Sequence, residues 1–187
     1  MELSIDIAAT RLVNNCLKGD ADSYRILYDQ YVKAMYNTAL RIVNNTADAE
    51  DIIQESFIDA FHSLQSFENR SGFGSWLKRI VINKSINLVK RGRKKWVEVD
   101  KDHINEIAIQ GEPEIDEEDF VYKVDSIKKG IGLLPDGYRT VLTLYLIENY
   151  TQEEIGEVLG IAHATVRTQY LRAKKKLLEI IRQNNGL

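Results

Sequence analysis

The sequence predicts an all-α protein of two small helical domains joined by a flexible acidic linker, the C-terminal one a helix-turn-helix. Three observations predict it. Apolar residues recur at spacings of three and four along most of the chain, with no strand-like alternation. Only two prolines, Pro113 and Pro135, and eleven thinly spread glycines interrupt 187 residues, which favours long helices over many-turned β structure. The periodicity fails once, over residues 92 to about 118, where acids gather around Pro113.

Taken in order, a first helix is expected over about residues 6 to 18, with Ile7, Leu12, Val13 and Leu17 on one side and Gly19 as the stop. A second runs from about Asp22 to Val43 on a stripe of Tyr24, Leu27, Tyr28, Tyr31, Met35, Ala39 and Ile42. Asn44 and Asn45 break it, and Thr46 is the expected cap of a third helix, whose first turns carry Asp48, Glu50 and Asp51 against the dipole. After a loop at 67–74, a fourth helix runs from near Ser75 to about Arg91. Beyond the linker, Phe120, Val124, Ile127 and Ile131 mark a fifth helix, and Leu134-Pro135-Asp136-Gly137 separates it from a sixth at about Tyr138 to Ile147. A short seventh helix lies between Thr151 and Gly160, and an eighth from about His163 to Arg182.

The formal charge is −3, which taken alone argues against a nucleic-acid partner. Its distribution argues the other way. From Lys78 to Lys95 there are eight basic residues and no acids; from Glu98 to Asp119, ten acids and one base; from Thr165 to Arg182, six bases and one acid. Such blocks separate two cationic surfaces from an acidic spacer. One cysteine, Cys16, set among Leu12, Val13 and Leu17, excludes a disulfide framework and reads as a buried small hydrophobe. No signal peptide and no membrane insertion are expected: the N-terminus lacks a basic start, and no apolar run is long enough to span. The expected location is cytoplasmic.

Residues 151–177, TQEEIGEVLGIAHATVRTQYLRAKKKL, carry the clearest local motif. Thr151 and Glu154 have capping-box spacing. Ile155, Val158 and Leu159 form a buried face, Gly160 permits a tight turn, and Val166, Tyr170, Ala173 and Leu177 form the inner stripe of the next helix. That is a helix-turn-helix pattern, whose second helix presents its outer N-terminal face to the major groove. The outer face would carry Ala164, Thr165, Arg167, Thr168 and Arg172, with arginine suited to guanine edges and threonine to phosphate or the thymine methyl. Lys174, Lys175 and Lys176 suit the phosphate backbone and not base reading. An amphipathic hairpin with a solvated face is the plainer alternative.

In the N-terminal half, residues 48–57 read DAEDIIQESF. Asp48, Asp51 and Glu55 share one helix face, with Gln54 beside them, fit either for solvent or for a basic partner surface. Downstream, Phe67, Phe73 and Trp76 flank a loop with Asn69, Arg70 and Ser71. Aromatics and arginine beside a basic helix offer stacking platforms for unpaired bases. Arg79, Asn83 and Asn87 recur every four residues as a polar stripe, and Lys78, Lys84 and Lys90 suit phosphates. For Phe67 and Trp76, partial burial competes with direct stacking.

Residues 48–57, the stretch 67–95 and the helix-turn-helix together resemble the sigma-70 family, and two domains with only a linker between resemble its extracytoplasmic-function (ECF) group; the resemblance covers about residues 12 to 95 and 120 to 182. It implies a sigma factor in which residues 1–95 dock on core RNA polymerase and read and melt the −10 element, 96–119 form the linker, and 120–187 read the −35 element. The implied partners are core polymerase, through its β′ clamp helices and β flap, promoter DNA that is partly single-stranded, and an anti-sigma factor. Asp48, Asp51, Gln54 and Glu55 would dock on the clamp; Asn69, Arg70, Ser71, Trp76, Lys78, Arg79, Asn83, Lys84 and Asn87 would contact the −10 element, the loop holding a flipped base. Ala164, Thr165, Arg167, Thr168, Arg172 and Lys175 would contact the −35 element. Two departures stand out. Gln169 replaces a common arginine, and Gly72 and Gly74 replace bulkier residues, which predicts a looser base pocket. The linker is either a solvating spacer or, as in the family, a segment that threads channels meant for nucleic acid.

No enzyme, cofactor or metal is expected. His62, His103 and His163 lie far apart without ligand spacing, and no phosphate-binding glycine loop or nucleophile elbow occurs. Two other classes remain open at this point: a free-standing helix-turn-helix regulator, which has no use for a strand-separating pocket, and a helical interaction module, which has no use for two basic blocks.

Overall fold

The structure, a computed structural model, describes residues 2–68, 70–91 and 117–184. Among these, every regular element is a helix. The chain divides into two compact units, Met1–Val89 and Lys90–Leu187. Asn69 and most of the expected linker, residues 92–116, lie outside the described residues; residues 117–119 already belong to a helix.

The first unit contains α1 (Glu2–Cys16), α2 (Ala21–Val43), α3 (Thr46–His62), a 3-10 turn (Leu64–Ser66) and most of α4 (Phe73–Arg91). In α1, the inward positions are Ala9, Val13 and Cys16. Leu17, expected on that side, falls just past the helix end and is 48% exposed, while Cys16 takes the buried place at 2%. The Tyr24 hydroxyl donates to the Cys16 carbonyl (3.0 Å), tying the end of α1 to α2. Leu27, Met35, Ala39 and Ile42 line the buried side of α2, as their spacing predicts.

The junction between α2 and α3 differs by one residue from the expected capping. Asn44 closes α2 in the left-handed conformation (φ 55°), its N–H on the Leu40 carbonyl. Asn45, not Thr46, caps α3: its side chain accepts from the Asp48 N–H at 3.1 Å. Both residue types cap well, and asparagine also tolerates the left-handed region, so consecutive asparagines end one helix and start the next. The inner face of α3 buries Ala49, Ile52, Ile53, Phe57 and Ala60. Its aromatics interleave with those of α2: Tyr28 meets Phe57 at 4.7 Å and Tyr24 meets Phe61 edge-on at 4.9 Å.

The second unit contains α5 (Glu117–Gly132), α6 (Asp136–Leu146), α7 (Gln152–Leu159) and α8 (His163–Asn184). Helix α6 starts two residues before the expected position because Pro135 takes the N-cap place and Asp136 opens the first turn, where a carboxylate is favourable. Arg139 is buried there: its Nη1 donates to the Leu134 carbonyl (2.8 Å) and its Nη2 pairs with Asp136, so the guanidinium satisfies the α5–α6 turn from inside. Around it, Ile131, Leu134, Leu142, Ala173 and Leu177 form one apolar cluster.

Candidate functional site

Three surfaces assemble the predicted residues. On α3, the buried side fixes which face is free. Asp51, Gln54 and Glu55 are exposed and Asp48 is half-buried, all on the side opposite Ile52, Ile53 and Phe57. Glu55 does not stand alone. Its Oε2 lies 3.1 Å from Lys84 Nζ on α4, and Asp59, one turn on, lies 2.8 Å from the same nitrogen. The hydrogen bond that Lys84 donates to Asp59, more than the one it donates to Glu55, holds its ammonium pKa above the ordinary lysine range despite partial desolvation.

The second surface is the start and outer face of α4. Phe67, Phe73 and Trp76 form a ring cluster, with Phe67–Trp76 centroids 5.1 Å apart and Phe73–Trp76 5.9 Å apart. Phe73 is only 1% exposed, so it belongs to the core, whereas Phe67 and Trp76 keep part of their surface open. Phe67 and Trp76 thus have the partial burial that competes with stacking. Arg70 and Ser71 are exposed, and Arg70 Nε is 2.7 Å from the Glu68 carboxylate. Arg79, Asn83 and Asn87 are all exposed, one turn apart along α4, as their spacing predicts. Lys78 is half-buried.

Gly74 corrects an expectation. A looser pocket is expected at this glycine, but a Cβ there would meet Tyr31 Cε1 at 2.8 Å. The Tyr31 ring itself packs edge-on against Phe73 at 5.3 Å. The small residue therefore makes room for the Tyr31 ring against the start of α4 and does not leave a gap.

The third surface is the α7–α8 pair. The capping box is complete: Glu154 N–H donates to Thr151 Oγ1 (3.2 Å) and Thr151 N–H to Glu154 Oε2 (2.8 Å). Gly160 ends α7 at φ 68°, which a residue with a side chain rarely adopts. The Ile161 N–H returns to the Gly156 carbonyl (3.0 Å). Val166 and Ala173 are fully buried, so Ala164, Thr165, Arg167 and Lys175 face outward and exposed. Thr168 and Arg172 are half-buried, and the Thr168 hydroxyl donates to the Ala164 carbonyl at 2.9 Å. Among the three lysines, Lys174 sits 5.6 Å over the Tyr170 ring and Lys176 pairs with Glu179 at 3.1 Å, and both Lys175 and Lys176 are exposed. Burial first, and the neighbouring Tyr145 second, push the Tyr170 phenol pKa up.

Three contacts carry no signal in the sequence pattern: the Lys84 pairing, the approach of Tyr31 to Gly74, and a contact of His163 Nε2 with Glu153 Oε1 (3.3 Å) that joins α7 to α8. All but the last span long stretches of chain. The His163–Glu153 pair flanks the turn, where one acid and one histidine on either side make no motif. Among the described residues no group of three or more His, Cys, Asp and Glu side chains could hold a metal ion, and no helix is long and apolar enough to cross a membrane.

An acidic helix face and a polar–aromatic helix in one unit, with a helix-turn-helix in the other, are the features of a DNA-binding transcription protein. Comparison with known proteins names the family. Residues 27–95 match sigma-70 region 2 and residues 125–177 match sigma-70 region 4. The chain is 29% identical over 185 residues to the ECF RNA polymerase sigma factor SigW of Bacillus subtilis, covering 95% of this chain and 99% of that protein. It is 32% identical over 177 residues to the RNA polymerase sigma-H factor of Pseudomonas aeruginosa, covering 89% and 90%. Its fold is similar to that of the sigma factor RpoE from Bartonella quintana, solved with the anti-sigma factor NepR, at a TM-score of 0.52 and 22% identity over 87% of this chain and 98% of that one. The chain belongs to the sigma-70 family, in its ECF group, and directs RNA polymerase to promoters.

Proposed function

We propose that the two units divide promoter recognition between them. Residues 1–95 dock on the β′ clamp helices of core polymerase through Asp48, Asp51, Gln54 and Glu55. The same unit reads and melts the −10 element through Asn69, Arg70, Ser71, Trp76, Lys78, Arg79, Asn83 and Asn87, with Lys84 supporting them from α4. Residues 120–187 read the −35 element through Ala164, Thr165, Arg167, Thr168, Arg172 and Lys175, and lean on the β flap; the acidic stretch 96–119 links the two. The observation that carries this reading is the exposed stripe of Arg79, Asn83 and Asn87, which runs along the helix whose first turn carries Phe73 and Trp76, clustered with Phe67 of the preceding loop. Amides that pair with base edges beside partly open aromatic rings suit a single strand with one base turned out.

The protein acts in the cytoplasm and is held in check by an anti-sigma factor, as its structural neighbour was solved with one. A binding titration with core polymerase tests the docking face. Asp51→Lys with Glu55→Lys is expected to weaken core binding at least about tenfold, the scale of two close charge pairs turned repulsive, while binding of the helix-turn-helix unit to duplex DNA is unchanged. Equal core binding by wild type and variant would reject the docking assignment.

A further inference from the structure

We propose that Lys84 is a positioning residue for strand separation: pinned between Asp59 and Glu55 of α3, it sets the rotation of α4 about its own axis and so the direction its polar stripe faces. The proposal rests on the reading of that stripe as the DNA-facing side. The geometry is two-pointed. Asp59 and Glu55 are one turn apart on α3, and their carboxylates bracket a single ammonium at 2.8 and 3.1 Å. The Lys84 side chain is 24% exposed, against 67% for Glu55 and 55% for Asp59, so the cation is the enclosed member and the carboxylates reach in to it.

Successive residues on a helix point about 100° apart. While Lys84 is directed at α3, Asn83 is therefore turned to solvent, with Arg79 and Asn87 one turn to either side. The buried side of α4, with Phe73, Leu77, Val81, Ile82 and Ile86 on it, holds the helix against the first unit's core and fixes its broad orientation, whereas a small roll leaves most of that burial in place. An ion pair with two anchors is more sensitive to it, because a roll lengthens both bonds at once. A phosphate would also have to take the ammonium from two carboxylates already in place. Lys84 thus differs from an exposed cation such as Arg79, and its basic character serves the angle between α3 and α4.

Promoter opening by the full chain with core polymerase tests this, read as permanganate reactivity of unpaired thymines alongside core binding. Lys84→Met is expected to bind core within about twofold of wild type and to open about fivefold more slowly, the scale of a partly exposed ion pair. Exchanging the charges, Lys84→Asp with Asp59→Lys, keeps a cation one turn from Glu55 and is expected to restore most of the rate, which loss of general stability would not allow. Asn83→Ala reports on the stripe itself and is expected to slow opening as well. Slow opening in the exchanged variant, with a promoter-binding salt dependence lowered by about one ion in Lys84→Met, would overturn the proposal and make Lys84 a phosphate contact. Full activity of Lys84→Met with loss in Asn83→Ala would overturn the role of Lys84 alone. Full activity in both would overturn the DNA-facing reading and the proposal with it.

Discussion

Tyr31 lies over Gly74 so closely that a Cβ on the glycine would sit 2.8 Å from its Cε1. The ring cannot move away freely, because it packs edge-on against Phe73, itself buried between Phe67 and Trp76. The start of α4, where the proposed base pocket opens, is therefore held by α2.

This contact predicts a change of sign. Gly74→Ala should destabilise the wild-type chain by about 1 kcal/mol through overpacking. In a Tyr31→Ala background the clash is gone, and the same change should be neutral or stabilising by up to about 1 kcal/mol through helix propensity. Denaturant unfolding of the four proteins as a double-mutant cycle measures the coupling. Additive effects would show that Tyr31 does not restrain Gly74.

Arg139 is expected to be the most sensitive charged position of the second unit. It is buried, and its guanidinium serves both the Leu134 carbonyl and Asp136. Arg139→Ala should cost about 3 kcal/mol or more, because the buried carbonyl loses its donor and the carboxylate its partner. Thermal unfolding of the isolated change checks this, and a loss below about 1 kcal/mol would contradict it.

The Lys84 pair predicts a pH signature. Its folded-state pKa is raised above the ordinary 10.5, first by the Asp59 hydrogen bond. A raised pKa means the stabilisation is complete below the unfolded value and is lost as pH climbs through the folded one. With both carboxylates more than half exposed, screening keeps the contribution at or below about 1 kcal/mol. Between wild type and Lys84→Met, the stability difference should be constant from about pH 7 to 10 and shrink above about 10.5. A difference that grows with pH would contradict the assignment.

Cys16 should behave as a core residue. It is 2% exposed, and burial first, then the charge of Asp20, push its thiol pKa up. Alkylation of the native chain should be slow and should track local opening of α1, rising sharply on addition of denaturant. Fast alkylation under native conditions would show the end of α1 to be open.

Which features were legible follows from how local they are. The helix-turn-helix was readable because its capping box, turn glycine and inner stripe of Val166, Tyr170, Ala173 and Leu177 all lie within residues 151–177. The stripe of Arg79, Asn83 and Asn87 was readable for the same reason. The register of α1 was not: Leu17 is the more hydrophobic residue, but the helix ends at Cys16 and the turn carries Leu17 outward. Lys84 read as one more cation of a basic block, because its partner Glu55 lies 29 residues away and no spacing rule links the two. Gly74 read as slack for a like reason, since Tyr31 belongs to another helix. Side-chain pairs across helices are set by packing, which the pattern along one helix does not contain.

The central claim is that this chain confers promoter opening on core polymerase and does not act as a free-standing DNA-binding regulator. The most direct measurement is run-off transcription and permanganate footprinting on promoter fragments selected from the source genome, with core polymerase, with the chain, and with both. The account predicts specific transcripts and a melted −10 region only when both are present, lost on Asp51→Lys with Glu55→Lys. Sequence-specific duplex binding by the chain alone, with no transcripts and no melting in the presence of core polymerase, would contradict it.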